Sequence, residues 1–234
     1  MDMILQSALP DDQCGAPRLP GTMPCPPEGW LHVDDAYAAQ MAYRETLLTE
    51  KTQAVLFDEA RPASIEVLEE ALKLLPVLEF EISTKAVTCP DRRRVSIDWD
   101  APLRTLGHLV QEDICILEKQ GDEHVLTAAV LCFPANWRLA EKVNRPLIGI
   151  HAPVPDYDKN IARRVQRLFD GVQVGRPLWR FNKLHYADAD LHQPQRHRIT
   201  EDMQFVRSER QCILRLPETD AVVFSIHTYV VRRD

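Results

Sequence analysis

The amino-acid sequence predicts an α+β protein, because helical periodicity dominates its first half and strand periodicity dominates its C-terminal end. Stretches within residues 34–119 repeat apolar residues at helical spacing, which is typical of amphipathic helices. The near-continuous apolar run VLTAAVLCF at 125–133 predicts a buried strand. FVRSERQCILRL and AVVFSIHTYVV alternate apolar and polar residues and are joined by PETD, which predicts a β-hairpin. Helices that precede antiparallel strands favour this class over alternating βαβ units.

Proline dominates the first 30 residues, which contain six of the chain's 17 prolines. Proline has no backbone N–H to donate and fixes its own φ angle, so this density excludes a helix or a central strand. We therefore predict two regions. Residues 1–30 form an extended, proline-rich N-terminal segment, and residues 31–234 form a single domain.

Two amphipathic helices are predicted next. The stretch 34–48 begins with Asp34 or Asp35, either of which is a favourable N-cap residue. The stretch 61–76 carries Pro62 near its first helical position, where proline is tolerated, and a second proline ends it. Each stretch places its leucines and other apolar residues on one face.

The remaining elements follow in order along the chain. Residues 101–119 predict a third, longer helix, and residues 134–143 predict a short one after the buried strand. The apolar residues at 147–150 predict another strand, residues 158–169 an amphipathic helix, and residues 176–186 a strand that precedes the hairpin.

Composition and charge narrow the classes of function. The chain has a formal net charge of −7, which argues against nucleic acid as its main partner, so the arginine clusters at 92–94 and 163–167 are interpreted as solvated faces. The first residues lack the basic region of a signal peptide. No stretch approaches the roughly 20 apolar residues of a membrane helix. We therefore expect a cytoplasmic protein without a membrane partner.

The cysteines and glycines also exclude several kinds of site. None of the six cysteines forms a C-x-x-C pair, which excludes a recognisable zinc or iron–sulfur cradle. None of the eight glycines forms a G-x-G-x-x-G or Walker motif, so the sequence shows no nucleotide cradle of the usual kinds. Any redox chemistry would therefore need electrons delivered from outside the chain.

The segment LIGIHAPVPDYD at 147–158 contains the most suggestive single residue, His151. Two prolines follow it closely and restrict the backbone around it. His151 could cap a turn, or it could be a ligand held rigidly for a metal. No second histidine or carboxylate lies three or four residues away to suggest zinc, whereas haem supplies four ligands of its own and needs one axial nitrogen.

Haem also brings two propionate groups, which need cationic or donor partners when buried. The candidates for this role are Arg180, Arg207, Arg210, Lys142 and Arg145. Because residues of a strand alternate between its faces, Arg207 and Glu209 share one face and Arg210 points to the other. A cross-strand salt bridge is an equally good interpretation of this pattern. Trp137 and Trp179 could pack on a porphyrin or belong to the core.

Two other kinds of site are rejected. The segment LHYADADLHQPQRHR concentrates polar metal-ligand residues, namely His185, Asp188, Asp190, His192 and His197. Their spacing fits no standard ligand pattern, and the proline-interrupted context predicts a loop. The G-x-S-x-G elbow of a serine hydrolase is absent from the sequence.

Several strings taken together resemble the haem-dependent oxidative N-demethylase family. They are VQEDICILE, FPANWRLAEKVNRPLIGIHAPVPDYD, WRFNK and RSERQCILRLPETDAVVFSIHTYV, and the resemblance runs from about residue 28 to the end. It implies a PAS-like antiparallel sheet with flanking helices enclosing a haem b pocket. It also implies oxidation of an N-methyl group of a small methylated amine, such as dimethylamine, by O₂ with release of formaldehyde. The electrons would come from a partner reductase of the FMN and [2Fe–2S], ferredoxin-like type.

The resemblance assigns roles to particular residues of this chain. His151 matches the motif histidine and is expected to be the axial iron ligand. Arg207 and Arg210 are expected on the propionates, and Glu209 is expected to bind the substrate ammonium or to manage its proton. Asn182 also matches and belongs to the expected cofactor-binding residues, which include Arg180 and Trp137.

Tyr157, together with Asp156 and Tyr229, is expected to offer the amine an aromatic face or a carboxylate. Lys183 stands where the family usually has tryptophan. The positive charge of this lysine would disfavour a cationic amine if the lysine side chain faced the pocket. Two alternatives remain, namely a non-catalytic haem or small-ligand sensor and a subunit that has lost its haem.

Overall fold

The computed structural model describes residues 3–17, 21–151, 159–195 and 203–233. Within these residues, a seven-stranded sheet has the strand order β1-β8-β9-β10-β6-β7-β2, and a small second sheet has the order β3-β4-β5. All of the strand pairs are antiparallel. The strands are β1 (Met23–Pro24), β2 (Leu56–Asp58), β3 (Glu81–Ile82), β4 (Ala86–Thr88), β5 (Arg94–Ser96), β6 (Asp113–Gln120), β7 (Glu123–Val130), β8 (Leu178–Tyr186), β9 (Phe205–Arg215) and β10 (Val222–Arg232).

Helices cover both faces of the large sheet. They are α1 (Tyr37–Glu50), α2 (Thr52–Val55), α3 (Arg61–Leu74), α4 (Pro102–Leu109), α5 (Leu147–His151) and α6 (Lys159–Gly171). Short 3₁₀ turns occur at Asp11–Gln13, Leu75–Leu78 and Leu139–Glu141. The α+β prediction is confirmed. No helix in the described part of the chain is long and apolar enough to cross a bilayer.

The two faces of the large sheet carry different residues, because side chains alternate along each strand. The core face includes Trp179 of β8, Cys212 of β9 and Val223 of β10, and it packs on the larger apolar cluster with α1, α3 and α4. Gly107 allows α4 to approach closely, since a Cβ there would lie 2.9 Å from atoms of Leu48 and of Val130. The opposite face, which carries Arg180, Asn182 and Glu209, is the site face.

Several predicted elements are confirmed. Helix α3 begins with Pro62 in its first turn, and a helix covers residues 159–171. The strand after it (β8) and the buried strand (β7) occur where they were predicted. The C-terminal hairpin pairs β9 with β10 over eleven residues of each strand, from Val222 opposite Arg215 to Arg232 opposite Phe205.

The predicted third helix is wrong in its second half. Helix α4 ends at Leu109, and residues 113–120 form strand β6. The residues from Asp113 to Leu117 are buried on both sides of the sheet, so this run has no polar face to distinguish strand from helix. A continuous apolar run of this length fits a central strand as well as it fits a helix.

Three further predictions are corrected by the structure. The apolar residues before His151 form helix α5 rather than a strand, and the predicted helix at 134–143 is reduced to a 3₁₀ turn. Neither Asp34 nor Asp35 is the N-cap of α1, since Ala36 occupies that position. Asp34 instead accepts the backbone N–H of Ala36, which shapes the turn before the helix.

Candidate functional site

The site face presents a row of polar side chains from neighbouring strands. Strand register places Arg180 opposite Gln211 and Asn182 opposite Glu209, and Glu209 lies opposite Thr228 of β10. Side chains directly opposite each other in an antiparallel sheet point to the same face. Long polar residues that are far apart in sequence therefore meet here.

Glu209 lies at the centre of the hydrogen-bond network in this row. Its Oε1 accepts a hydrogen bond from Arg207 Nε at 3.2 Å. Its Oε2 accepts hydrogen bonds from Asn182 Nδ2 at 2.9 Å and from Gln211 Nε2 at 3.2 Å. Asn182 Oδ1 in turn accepts the backbone N–H of Glu209 at 3.3 Å. The carboxylate is buried, and these three donors compensate for its lost hydration.

Arg207 is fully engaged by the protein. Besides Glu209, it donates to the carbonyl oxygens of Leu191, at 2.8 Å, and Phe133. The side chain is buried, so Arg207 fastens β9 to the two loops that carry those carbonyls. Its position on the site face is as expected, but its donors are used within the chain.

Arg180 differs from Arg207 because its side chain makes no hydrogen bond to any residue that the structure describes. Its Nε is buried without an acceptor, and no salt bridge to it occurs in the described part of the chain. Burial lowers the pKa of Arg180, and the nearby charge of Glu209 opposes that effect only in part. A half-buried guanidinium without an acceptor is a site for an anion, and a carboxylate matches its planar donor geometry.

One end of the site face is covered by an apolar cluster. Leu147 and Ile150 of α5 and Phe169 of α6 pack there, and Trp137 lies against the same cluster. Leu178 and Phe224, which lie beside the polar row, are only partly buried by it. The uncovered part of the site face therefore places the apolar side chains of Leu178 and Phe224 next to the polar row. Lys142 Nζ lies 4.3 Å from the ring centroid of Trp137.

The expected axial ligand is at the edge of this region. His151 is the last residue of α5, and the orientation of its side chain is outside what the structure describes. Asp156 and Tyr157 also lie outside the described residues. Helix α5 itself packs against the site face, so the backbone of His151 ends on the same side of the sheet as Arg180 and Glu209.

Arg210, Lys183 and Tyr229 lie on the opposite, core face. Arg210 stacks on Trp179 with its guanidinium carbon 4.0 Å from the ring centroid. The sheet therefore separates Arg210 from Arg180. Lys183 Nζ donates to the carbonyl oxygen of Cys14 at 2.7 Å, so the lysine that replaces the expected tryptophan does not face Glu209.

The polar loop before β9 forms ordinary loop contacts. His192 Nδ1 is 2.8 Å from the carbonyl oxygen of Cys132, and Asp190 accepts the hydroxyl of Tyr43 at 2.9 Å. His197 lies outside the described residues. No group of three metal-ligand side chains occurs in the part of the chain that the structure describes. Of the five candidate ligands, His185 lies in strand β8 rather than in a loop.

A buried charge cluster on the core face was not predicted. His227 Nδ1 lies 2.7 Å from Glu112 Oε1, and its Nε2 lies 3.1 Å from Asp34 Oδ2. Gln111 donates to Asp34 at 2.8 Å and completes the cluster. The only sequence signal is a histidine within an apolar strand, and its partners are 115 and 193 residues away.

Comparison with known protein families relates the chain to one that has been described. A family model described as "Haem-dependent oxidative N-demethylase, alpha subunit-like" matches residues 21–233. The matched range contains the whole large sheet, helix α5 and every residue of the polar row.

Proposed function

Because the chain belongs to the haem-dependent oxidative N-demethylase, alpha subunit-like family, we propose that it binds haem b on the site face and demethylates a small methylated amine. The substrate is of the dimethylamine class, and the products are the demethylated amine and formaldehyde. O₂ is the oxidant. The electrons come from a separate reductase with FMN and a [2Fe–2S] cluster, in keeping with the absence of nucleotide and cluster motifs from the sequence.

The residues of the site face fit such a group. The unpartnered guanidinium of Arg180 suits a propionate carboxylate, and the partly buried Phe224 and Leu178 beside it suit a flat apolar ring. His151 would hold the iron, and Trp137 would pack beside the ring. The single observation that carries this placement is the buried Nε of Arg180, for which the described residues offer no acceptor.

Bound haem would supply the oxidising chemistry, and the protein residues would bind and orient the amine. Glu209 would attract the substrate ammonium through the negative charge of its carboxylate, which three donors hold in place. These donors fix the carboxylate in one orientation, so an amine bound to it would hold its N-methyl group in one orientation as well. Tyr157 would complete the amine site. The apolar cluster of α5 and α6 would exclude water from that end.

The iron ligand is tested by absorbance of the purified protein. His151→Ala should lose the Soret band of bound haem, whereas His185→Ala, a matched change at an exposed histidine of β8, should keep it. Circular dichroism and the Tm of both variants show whether they are folded. A folded His151→Ala protein with an unchanged Soret band would refute the ligand assignment. Formaldehyde release from dimethylamine with a surrogate reductant separates an enzyme from a sensor.

The anion site is tested separately at Arg180. We expect Arg180→Gln to weaken haem binding roughly 10- to 100-fold, the equivalent of about 1.5–3 kcal/mol for a charge-assisted hydrogen bond. Arg176→Gln is the control, because Arg176 is exposed and bonds only to Gln173 nearby. The measurement is haem titration followed at the Soret band. Equal affinities of the two variants would remove Arg180 from the site.

A further inference from the structure

Arg210 is a buried cation with an incomplete set of partners. Its side chain is on the core face and the residue is only 6% exposed. Its Nε donates to His32 Nε2 at 2.8 Å, and its Nη2 donates to the carbonyl oxygen of Gly29 at 3.0 Å and to Cys25 Sγ at 3.5 Å. Its Nη1 is buried and has no acceptor. In the described part of the chain no carboxylate lies within salt-bridge distance of it.

A buried guanidinium requires a nearby negative charge, since it does not lose its proton in proteins. Of the groups that Arg210 contacts, the carbonyl of Gly29 carries no charge, and the imidazole of His32 is never an anion at physiological pH. Burial also lowers the pKa of His32. The thiol of Cys25 is therefore the one contacting group that can become an anion.

A second thiol lies beside the first. The proximity of Cys212, together with the charge of Arg210, outweighs burial and lowers the pKa of Cys25 to about 7. The same proximity raises the pKa of Cys212, so Cys25 is the thiol of the two that ionises first. Both sulfur atoms lie around Gly29: Cys212 Sγ is 3.7 Å from its carbonyl oxygen, and a Cβ on Gly29 would lie 2.9 Å from Cys25 Sγ. A glycine at this position thus makes room for the pair.

We propose that Cys25 and Cys212 form a peroxide-sensitive dithiol that links the N-terminal segment to strand β9. Cys25 thiolate attacks one oxygen of hydrogen peroxide and breaks the O–O bond, which gives a sulfenic acid and hydroxide. The hydroxide takes up the proton of Cys212. The Cys212 sulfur then attacks the sulfenic sulfur, forming a disulfide and releasing the oxygen as hydroxide, which is protonated to water. Two thiols lose two electrons in total, and one peroxide is reduced to two waters.

Arg210 has a definite part in this reaction. It stabilises the Cys25 thiolate, which is the attacking species, through its contact at 3.5 Å. Stacking on Trp179 and the bonds to His32 and Gly29 hold the guanidinium in place. Disulfide formation would fix the segment after β1 against the middle of the large sheet. The proposal is independent of haem, because every residue involved lies on the core face.

The test is peroxide oxidation of the purified full-length chain, followed by alkylation of free thiols and tryptic mass spectrometry. Each of the six cysteines lies on a different tryptic peptide, so each is scored separately. We expect a cross-link between peptides 19–44 and 211–215 that disappears on reduction. Cys212→Ser should leave Cys25 as a sulfenic acid that dimedone traps, and Arg210→Gln should slow oxidation of Cys25 about 10-fold.

Two comparisons within the same samples decide the result. Cys14 is exposed and reports ordinary thiol oxidation, whereas Cys115 and Cys132 are buried, as Cys25 and Cys212 are, but burial raises the pKa of their thiols to about 12. The proposal is overturned if Cys25 and Cys212 stay reduced while Cys14 reacts, or if they react no faster than Cys115 and Cys132. Circular dichroism of Arg210→Gln separates a slower reaction from loss of the fold.

Discussion

His227 illustrates how much a single buried residue depends on its surroundings. The imidazole is 1% exposed, and both of its nitrogens face carboxylate oxygens. Burial alone would lower the pKa of His227, but Glu112 and then Asp34 outweigh it and raise the pKa to about 9. The neighbouring rings of His32 and Tyr229, at 5.8 Å and 4.5 Å between centroids, add no negative charge. His227 is therefore an imidazolium at neutral pH.

This charge makes the stability of the fold depend on pH. The folded pKa of His227, about 9, is above the unfolded value of roughly 6.5, so its contribution is complete below pH 6.5 and is lost as pH rises through 9. Asp34 behaves in the opposite way. Several hydrogen bonds and His227 outweigh the effect of burial and lower its pKa to about 2, so its contribution is present above about pH 4 and is lost towards pH 2.

The first prediction concerns Asp34→Asn. With one carboxylate removed, the pKa of His227 should fall, so the free energy of unfolding should decline less between pH 6.5 and pH 9 than in the unmodified protein. Urea unfolding at pH 6, 7.5 and 9 measures this slope. Asp35→Asn is the control, because Asp35 accepts only the exposed N–H of Ser7. Equal slopes in the Asp34→Asn and unmodified proteins would contradict the ion-pair account.

At the scale of elements, the junction between α4 and β6 depends on one buried arginine. Arg44 of α1 donates to the carbonyl oxygens of Gly107, Gln111 and Glu112, where the chain leaves the helix. It also pairs with Asp113 at 2.7 Å. A long-range partner thus satisfies the backbone carbonyls at the end of α4, so the helix can stop there. Sequence periodicity cannot reveal such a partner, which is why the predicted helix continued too far.

The second prediction compares Arg44→Met with Arg61→Met. Arg44→Met leaves the buried carboxylate of Asp113 without its counterion, with only the backbone N–H groups of Cys132 and Phe133 as donors, and should reduce the free energy of unfolding by about 3–5 kcal/mol. Arg61 also pairs with an aspartate, Asp100, but the two side chains are 48% and 94% exposed. Arg61→Met should therefore cost about 1 kcal/mol or less. Chemical denaturation measures both values, and a similar loss in the two variants would count against the role assigned to Arg44.

At the scale of the whole molecule, sequence patterns predicted the elements better than the contacts between them. The hairpin and the alternation of Arg207, Glu209 and Arg210 between faces follow from local period-two patterning, and both are confirmed. The partners of Arg180 and Arg207 could not be predicted in this way. Arg207 is satisfied by carbonyls of two distant loops, whereas Arg180 on the next strand has no acceptor. Only the folded arrangement distinguishes the two arginines.

The contacts of the N-terminal segment could not be predicted from its composition either. The sequence predicts an extended, proline-rich segment, whereas Gln6 and Gln13 are buried. Gln6 exchanges backbone and side-chain hydrogen bonds with Val230 and donates to Asp34 at 2.8 Å. Gln13 accepts the hydroxyl of Ser208 at 2.7 Å. Both glutamines precede residue 21, where the family match begins. The segment therefore supports β9, β10 and the His227 cluster from outside the matched region.

The third prediction is that a chain that starts at residue 21 folds but is less stable. It loses the four hydrogen bonds of Gln6 and Gln13 described above, each of which contributes about 1 kcal/mol, so the free energy of unfolding should fall by roughly 4 kcal/mol. Gln6→Ala should reproduce part of this loss, about 1–2 kcal/mol, because it leaves the N–H of Val230 without its acceptor. Ser7→Ala is the matched control, since the side chain of Ser7 is exposed. If truncation and Gln6→Ala both left the urea midpoint unchanged, the N-terminal segment would not contribute to the stability of the domain. A fall confined to those two variants would make it an integral part of the domain.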